Sequence, residues 1–199
     1  MPYFMPFLNL AMYTLRMESI PDKTETIKYP EIASELSERA DKDQAMRRGM
    51  HEGGEWDPHV DEENTAALKR IVNEIGWPTI AKVGKKAANE AWLLVQHADR
   101  DPEFQKQCLE MMNEETDVDP STRAYLEDRV RVNSKREQLY GTQFTTTLDE
   151  SGAVVAYGPA PIEDSEHLDE RRSAAGLGPF AEYREMMERN HRKFLEKKQ

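Results

Sequence analysis

The stretch at 79–99, TIAKVGKKAANEAWLLVQHAD, decides the fold. Val83, Ala87, Ala88, Ala91, Trp92, Leu94, Val95 and Ala98 recur at the three- and four-residue spacing of a helix, not at the two-residue spacing of a strand. Toward its C-terminal end the segment is apolar nearly all round. A helix without a polar face has to be covered on every side, so this one is placed at the centre of the molecule.

Amphipathic helices are expected on both sides of it. Upstream, residues 31–51 set Ile32, Leu36, Ala40 and Met46 among charges. Asp61 is read as the cap of a second helix with the stripe Ala66, Leu68, Ile71, Val72 and Ile75, ended by Gly76 and a tight link at Trp77-Pro78. Downstream, Asp101-Pro102 opens a helix that shows Phe104, Cys108, Met111 and Met112. A second Asp-Pro start, in DVDPST, opens another over 121–133. The period then changes: QFTTTLDESGAVVAYG is rich in Thr, Val and aromatic residues around Ser151-Gly152, which signals a hairpin. Two closing helices follow, the last from Phe180 with Tyr183, Met186, Met187 and Phe194 as its apolar side. The expectation is a mainly α fold: a single-domain bundle of about six or seven helices with one small β-hairpin near 142–158. The domain is set at 29–199, with 1–28 as an N-terminal extension.

Composition bounds the partners. With 38 Asp and Glu against 27 Lys and Arg, the net charge of −11 provides no cationic excess for a phosphate backbone. Nucleic acid is excluded as the expected partner. The run at 1–20 is apolar, yet it lacks a basic leader, carries Pro2 and Pro6, and is too short and interrupted to span a bilayer. It is read as a frayed extension or a strand or helix laid on the core, with an interfacial or docking role as the alternative, and no membrane is expected. Cys108 is the single cysteine, so neither an internal disulfide nor a cysteine-based zinc cage is available, and a reducing, cytoplasmic compartment is expected.

Three places carry candidate chemistry. His97 ends the central helix, where an imidazole is easily positioned and the helix C-terminus favours its protonated form. His97 and Asp99 stand about 200° apart on a continuing helix and can face one ion only if the helix ends at Ala98. No His-Glu-x-x-His spacing supports them, so no metal is assigned. A structural His97 bonding a carbonyl or Asp128 is the alternative to a catalytic one. Asp128 follows Tyr125 by three residues and Ala124 by four, which puts a carboxylate on the core side of its helix. It calls for an arginine, a histidine or a cluster of N–H donors, and two roles stay open: a general base or substrate anchor, or half of a buried structural pair. In QLYGTQF, at 138–144, alternation turns Gln138 and Gln143 to opposite sides. Gln143 and Tyr140 are expected to meet a pocket through a bend at Gly141, and Gln138 to serve the fold.

The blocks DQAMRR (43–48), DEENTAALKRIVNEIGWPT (61–79), VGKKAANEAWLLVQHADRDPEFQ (83–105), AYLEDRVRV (124–132) and QLYGTQF (138–144) give the chain a wider resemblance. Over about 31–184 it resembles a largely bacterial family called domain of unknown function 6624. That family has no assigned reaction, so the resemblance implies a grouping of residues and no mechanism. The grouped polar positions are Asp43, Gln44, Arg47 with Arg48 as a register alternative, Trp77, Pro78, Gln96, His97, Asp99, Asp128, Arg129, Tyr140, Gly141, Thr142 and Gln143.

The expected site therefore has His97 and Asp128 as catalytic residues, with Gln44, Arg47, Trp77, Arg129, Tyr140 and Gln143 as substrate contacts. The favoured function is a cofactor-independent hydrolase or transferase acting on a small polar or peptide-like substrate. The alternative is a ligand-binding or protein-interaction module such as a sensor, an immunity protein or an accessory subunit. A small-molecule, peptide or protein partner fits either reading.

Overall fold

The computed structural model describes residues 27–51, 54–151 and 154–197. The readings placed on 1–26, on Glu52-Gly53 and on Gly152 of the hairpin turn lie outside them. The described residues form seven α-helices and one two-stranded antiparallel sheet, which makes the fold mainly α as expected. The chain divides into two compact units, one reaching Thr122 and the other starting at Arg123. No helix among the described residues is long and apolar enough to cross a membrane.

The first unit contains α1 (Pro30–His51), α2 (Pro58–Ile75), α3 (Ile80–Gln96) and α4 (Pro102–Glu114). Helix α3 packs against the other three, and every residue from Glu90 to Ala98 is buried, as its all-round apolar surface requires. Its first turn departs from the expected continuous helix. Gly84 takes φ 80° and ψ 158°, a conformation open to glycine and strained for other residues. There the Tyr29 amide donates to the Lys82 carbonyl at 2.9 Å.

Helix α2 corrects one cap. Asp57 receives the His59 amide at 3.0 Å and Pro58 takes the first helical position, so Asp61 lies inside the first turn and is not the cap. The buried stripe is Asn64, Ala67, Leu68, Ile71 and Val72, with Ala66 exposed. Gly76 ends the helix at φ 71° with its amide on the Val72 carbonyl, as the sequence predicts. Asp101 caps α4 through the Phe104 amide at 3.1 Å.

On α1 the buried stripe begins with Ile32, Leu36 and Ala40 and continues, still at helical spacing, into Asp43, Gln44 and Arg47. Met46 is only half-buried. A stripe that turns from apolar to charged without leaving the core is the feature on which the site rests.

In the second unit, α5 (Pro120–Asn133), whose first turn holds the division, leads through the 138–144 stretch into β1 (Phe144–Leu148) and β2 (Val154–Pro159). The strands pair from Phe144 opposite Pro159 to Leu148 opposite Val154, with an irregularity between Thr147 and Leu148. A 3-10 turn (Ser165–His167), α6 (Leu168–Ala174) and α7 (Phe180–Lys197) follow. Tyr183, Met187, His191 and Phe194 are the buried face of α7, and Met186 is half-buried. Tyr183 meets Tyr125 and Phe144 edge-on, at 6.2 and 5.9 Å between ring centres.

Candidate functional site

In the first unit, three helices bring charged side chains into one buried place. Asp43 comes from α1, Asp61 from the first turn of α2, and His97 caps the C-terminus of α3. Nδ1 of His97 lies 2.9 Å from Oδ1 of Asp43, a carboxylate with no exposed surface. Arg47, one helical turn after Asp43, spans the two carboxylates. Its Nε donates to both oxygens of Asp43 at 3.2 Å, and its Nη2 donates to Oδ1 of Asp61 at 2.8 Å. The Gln44 amide donates to Oδ2 of Asp43 at 2.7 Å. The Trp56 ring covers the guanidinium, 4.8 Å from ring centre to Cζ.

Electrostatics separates the two carboxyls. Burial alone would raise Asp43, but the charges of His97 and Arg47 outweigh it and hold that carboxyl down to about 2. At Asp61 burial prevails. Repulsion from Asp43 and Asp99 adds to it against Arg47, and the carboxyl is pushed up to about 7. One member of the pair is thus held firmly ionised while the other shares a proton near neutrality.

Two polar atoms on the side chains that donate to Asp43 have no hydrogen-bond partner among the described residues. They are the acceptor Oε1 of Gln44 and the donor Nη1 of Arg47, on residues 3% and 5% exposed. Buried polar groups are nearly always paired, because an unpaired one costs about 1–3 kcal/mol. Gln44 thus keeps one unused acceptor and Arg47 one unused donor. Among the described residues, Asp43, Asp61 and His97 form a group that could hold a cation, each offering one ligand atom within 4.8 Å of the others.

Of the remaining candidates, Trp77 is buried in the link between α2 and α3, where its carbonyl accepts from Lys82 Nζ at 2.9 Å. The others belong to the second unit. Asp128 is fully buried and accepts the amides of Leu139 at 2.7 Å, Tyr140 at 3.0 Å and Thr142 at 2.9 Å, together with the Thr142 hydroxyl at 2.9 Å. Burial raises its carboxyl despite these four donors. Of the partners the sequence reading allowed, the cluster of N–H donors is the one present. Arg129 is buried on the same helix.

The chain bends at Gly141, with φ 67°, so 138–144 is no straight strand. Gln138 serves the fold: its amide donates to the carbonyls of Gln143 at 2.9 Å and Ala160 at 2.8 Å, and its Oε1 accepts the Gln143 amide at 2.8 Å. The Gln143 side chain donates to the Thr142 hydroxyl at 3.0 Å, and the Tyr140 carbonyl accepts from Arg172 at 2.6 Å. These contacts tie the stretch to itself and, through Arg172, to α6. A surface depression of about 390 Å³ lies elsewhere, between Lys69 on α2 and the exposed side of α4, and holds none of the candidate residues.

A model of the family of unknown function DUF6624 matches residues 30–194. The chain belongs to this family. No curated protein and no solved structure matches it. Within this DUF6624 chain, Gln44, Arg47 and His97 stand around an Asp43 that the grouping contained without a role, while Asp128, Arg129, Tyr140 and Gln143 belong to the other unit. Asp61 escaped the reading because it was taken for a cap. The signal for it was present, since Asp57-Pro58 repeats the Asp-Pro start seen at 101–102 and 119–120 and leaves Asp61 one turn into the helix.

Proposed function

We propose that this DUF6624 chain is a hydrolase or transferase acting on a small polar or peptide-like substrate, with the cluster around Asp43 as its working centre. The observation that carries the reading is the 2.9 Å contact between a fully buried Asp43 and His97 Nδ1. A carboxylate on Nδ1 orients the imidazole and stabilises its protonated form, which leaves proton exchange to Nε2. In hydrolysis His97 takes a proton from water as the oxygen bonds to the substrate's carbonyl carbon. It returns that proton to the leaving group as the old bond breaks. Arg47 Nη1 and Gln44 Oε1 supply one donor and one acceptor, the complement of an amide group with its carbonyl and N–H.

The test is turnover across a panel of simple amides, esters and aminoacyl compounds by wild type and His97→Gln, a change that keeps a polar side chain of similar reach. Wild type is expected to act on the amide members, and the variant to lose about 10²–10⁴-fold while keeping its circular dichroism. Turnover of nothing in the panel, or equal rates from both proteins, overturns the reading.

A further inference from the structure

We propose that Asp43, Asp61 and His97 bind a divalent first-row metal ion, of the Zn²⁺ or Mn²⁺ class. Three observations carry this. The first is geometric: one ligand atom from each residue falls within 4.8 Å of the others. Ligands held about 2.0–2.2 Å from one ion lie at most about 4.4 Å apart across an octahedron and about 3.5 Å apart in a tetrahedron. The widest-spaced side chains therefore close by a few tenths of an ångström around six-coordinate Mn²⁺ and by about 1 Å around tetrahedral Zn²⁺. The 2.9 Å between His97 Nδ1 and Asp43 Oδ1 already matches two neighbouring ligands of one ion.

The second is rigidity and burial. The three residues stand on three different helices of one compact unit, and Asp43 and His97 are more than nine-tenths buried. An ion there displaces little ordered protein and meets ligands already in place. Arg47 holds the two carboxylates side by side from Nε and Nη2, and through Nη2 it engages Oδ1 of Asp61. That carboxylate keeps a second oxygen to give. A donor that fixes ligating carboxylates from behind is the ordinary outer shell of a metal site.

The third observation is independent of the acidic groups. Gln44 lies with its Nε2 on Oδ2 of Asp43, and its Oε1 is buried without a donor. That oxygen, on a side chain already bound to one of the three ligands, offers a cation a fourth ligand. One imidazole with hard oxygen donors suits Zn²⁺ or Mn²⁺ better than Ca²⁺, which takes six to eight oxygens, or Mg²⁺, which keeps several waters.

The inference rests on reading the cluster as the working centre and goes beyond the acid–base scheme. An ion on His97 makes the imidazole a ligand and passes the activation of water to the metal. The experiment is calorimetric titration of Zn²⁺ and of Mn²⁺ into chelator-treated full-length protein, with Asp61→Asn, His97→Gln and, as a control, the exposed Glu103→Gln. We expect one equivalent bound by wild type and by Glu103→Gln, at least a tenfold loss of affinity in the other two, and a melting temperature that rises with the ion only where it binds. Circular dichroism of each variant separates lost ligands from lost fold, and Asp61→Asn, the least buried of the ligands, is the decisive variant if His97→Gln unfolds. Absence of binding, or binding that Asp61→Asn leaves unchanged, overturns the site. Turnover that persists in chelator and still requires His97 sinks the metal and leaves the acid–base reading standing. One equivalent bound with the stated dependence, and no turnover of any panel member, upholds the site and removes the enzymatic reading.

Discussion

Replacing Asp128 by asparagine tests whether this carboxylate anchors the 138–144 loop. Its two oxygens accept three backbone amides and one hydroxyl, all within 2.7–3.0 Å. Asparagine keeps one oxygen for Leu139 and Tyr140 but turns an NH₂ toward the amide of Thr142, whose hydroxyl alone can rotate to accept it. One buried backbone donor is left unpaired, which costs about 1–3 kcal/mol. The bonds that survive lose their charge assistance, about 1 kcal/mol more in all. Burying a neutral amide is easier than burying a carboxylate, which returns part of this, so the net loss is about 1–3 kcal/mol. For a chain of this length that lowers the melting temperature by about 6 °C. Thermal melts followed by circular dichroism measure it, and hydrogen exchange at Leu139, Tyr140 and Thr142 should accelerate together. A variant that melts within 2 °C of wild type, with those amides still protected, refutes the reasoning. A loss of turnover at unchanged stability would return Asp128 to the chemistry.

Gly141→Ala combines a positive φ with a Cβ that would meet the Phe180 ring at 2.7 and 2.9 Å; a loss of about 2–3 kcal/mol in urea denaturation is expected, and less than about 0.5 would count against the bend. Asp101→Ala removes the cap of α4 and the ion-pair partner of Lys69 and should cost about 1 kcal/mol, most of which Asp101→Asn restores. Cys108 is fully buried and its thiol is pushed up to about 12, so a thiol reagent at pH 8 should modify none of it in the native protein and one equivalent in denaturant. Burial lowers the pKa of His191, which stacks 3.9 Å from Tyr157. With the folded pKa below the unfolded one, its contribution is complete above about 6.5 and is lost as pH falls through the folded value. Melting curves of His191→Phe should therefore fall less steeply than wild type between about pH 6.5 and 5, and parallel curves would refute this.

Much of the first unit was legible from spacing alone. The all-round apolar end of α3 announced its central place, and Asp-Pro pairs announced two helix starts. Asp57-Pro58 went unread because His59 and the two glycines before Trp56 look like loop, and Asp61 then took the cap that belonged to Asp57. Met46 was read as core because it is apolar, whereas the helical period carries the buried face through Asp43 and Arg47. Hydrophobicity was the wrong guide there: a buried charge is invisible to a polarity pattern until its partner is known. In the second unit, the bend at Gly141 and the fold-serving role of Gln138 followed from alternation and glycine chemistry, both of which act within a few residues.

The sequence by itself determined what local physics can determine. Period, caps and turns decided a mainly α chain with one hairpin, and composition decided a net charge of −11. Only the tertiary structure decided that residues 43, 61 and 97 share one place. Each sits on a different helix, and periodicity states which face of a helix is buried but not which other face it meets. That choice is made by packing over the whole unit, and it turned an i, i+4 ion pair, a supposed cap and a helix-end histidine into one cluster.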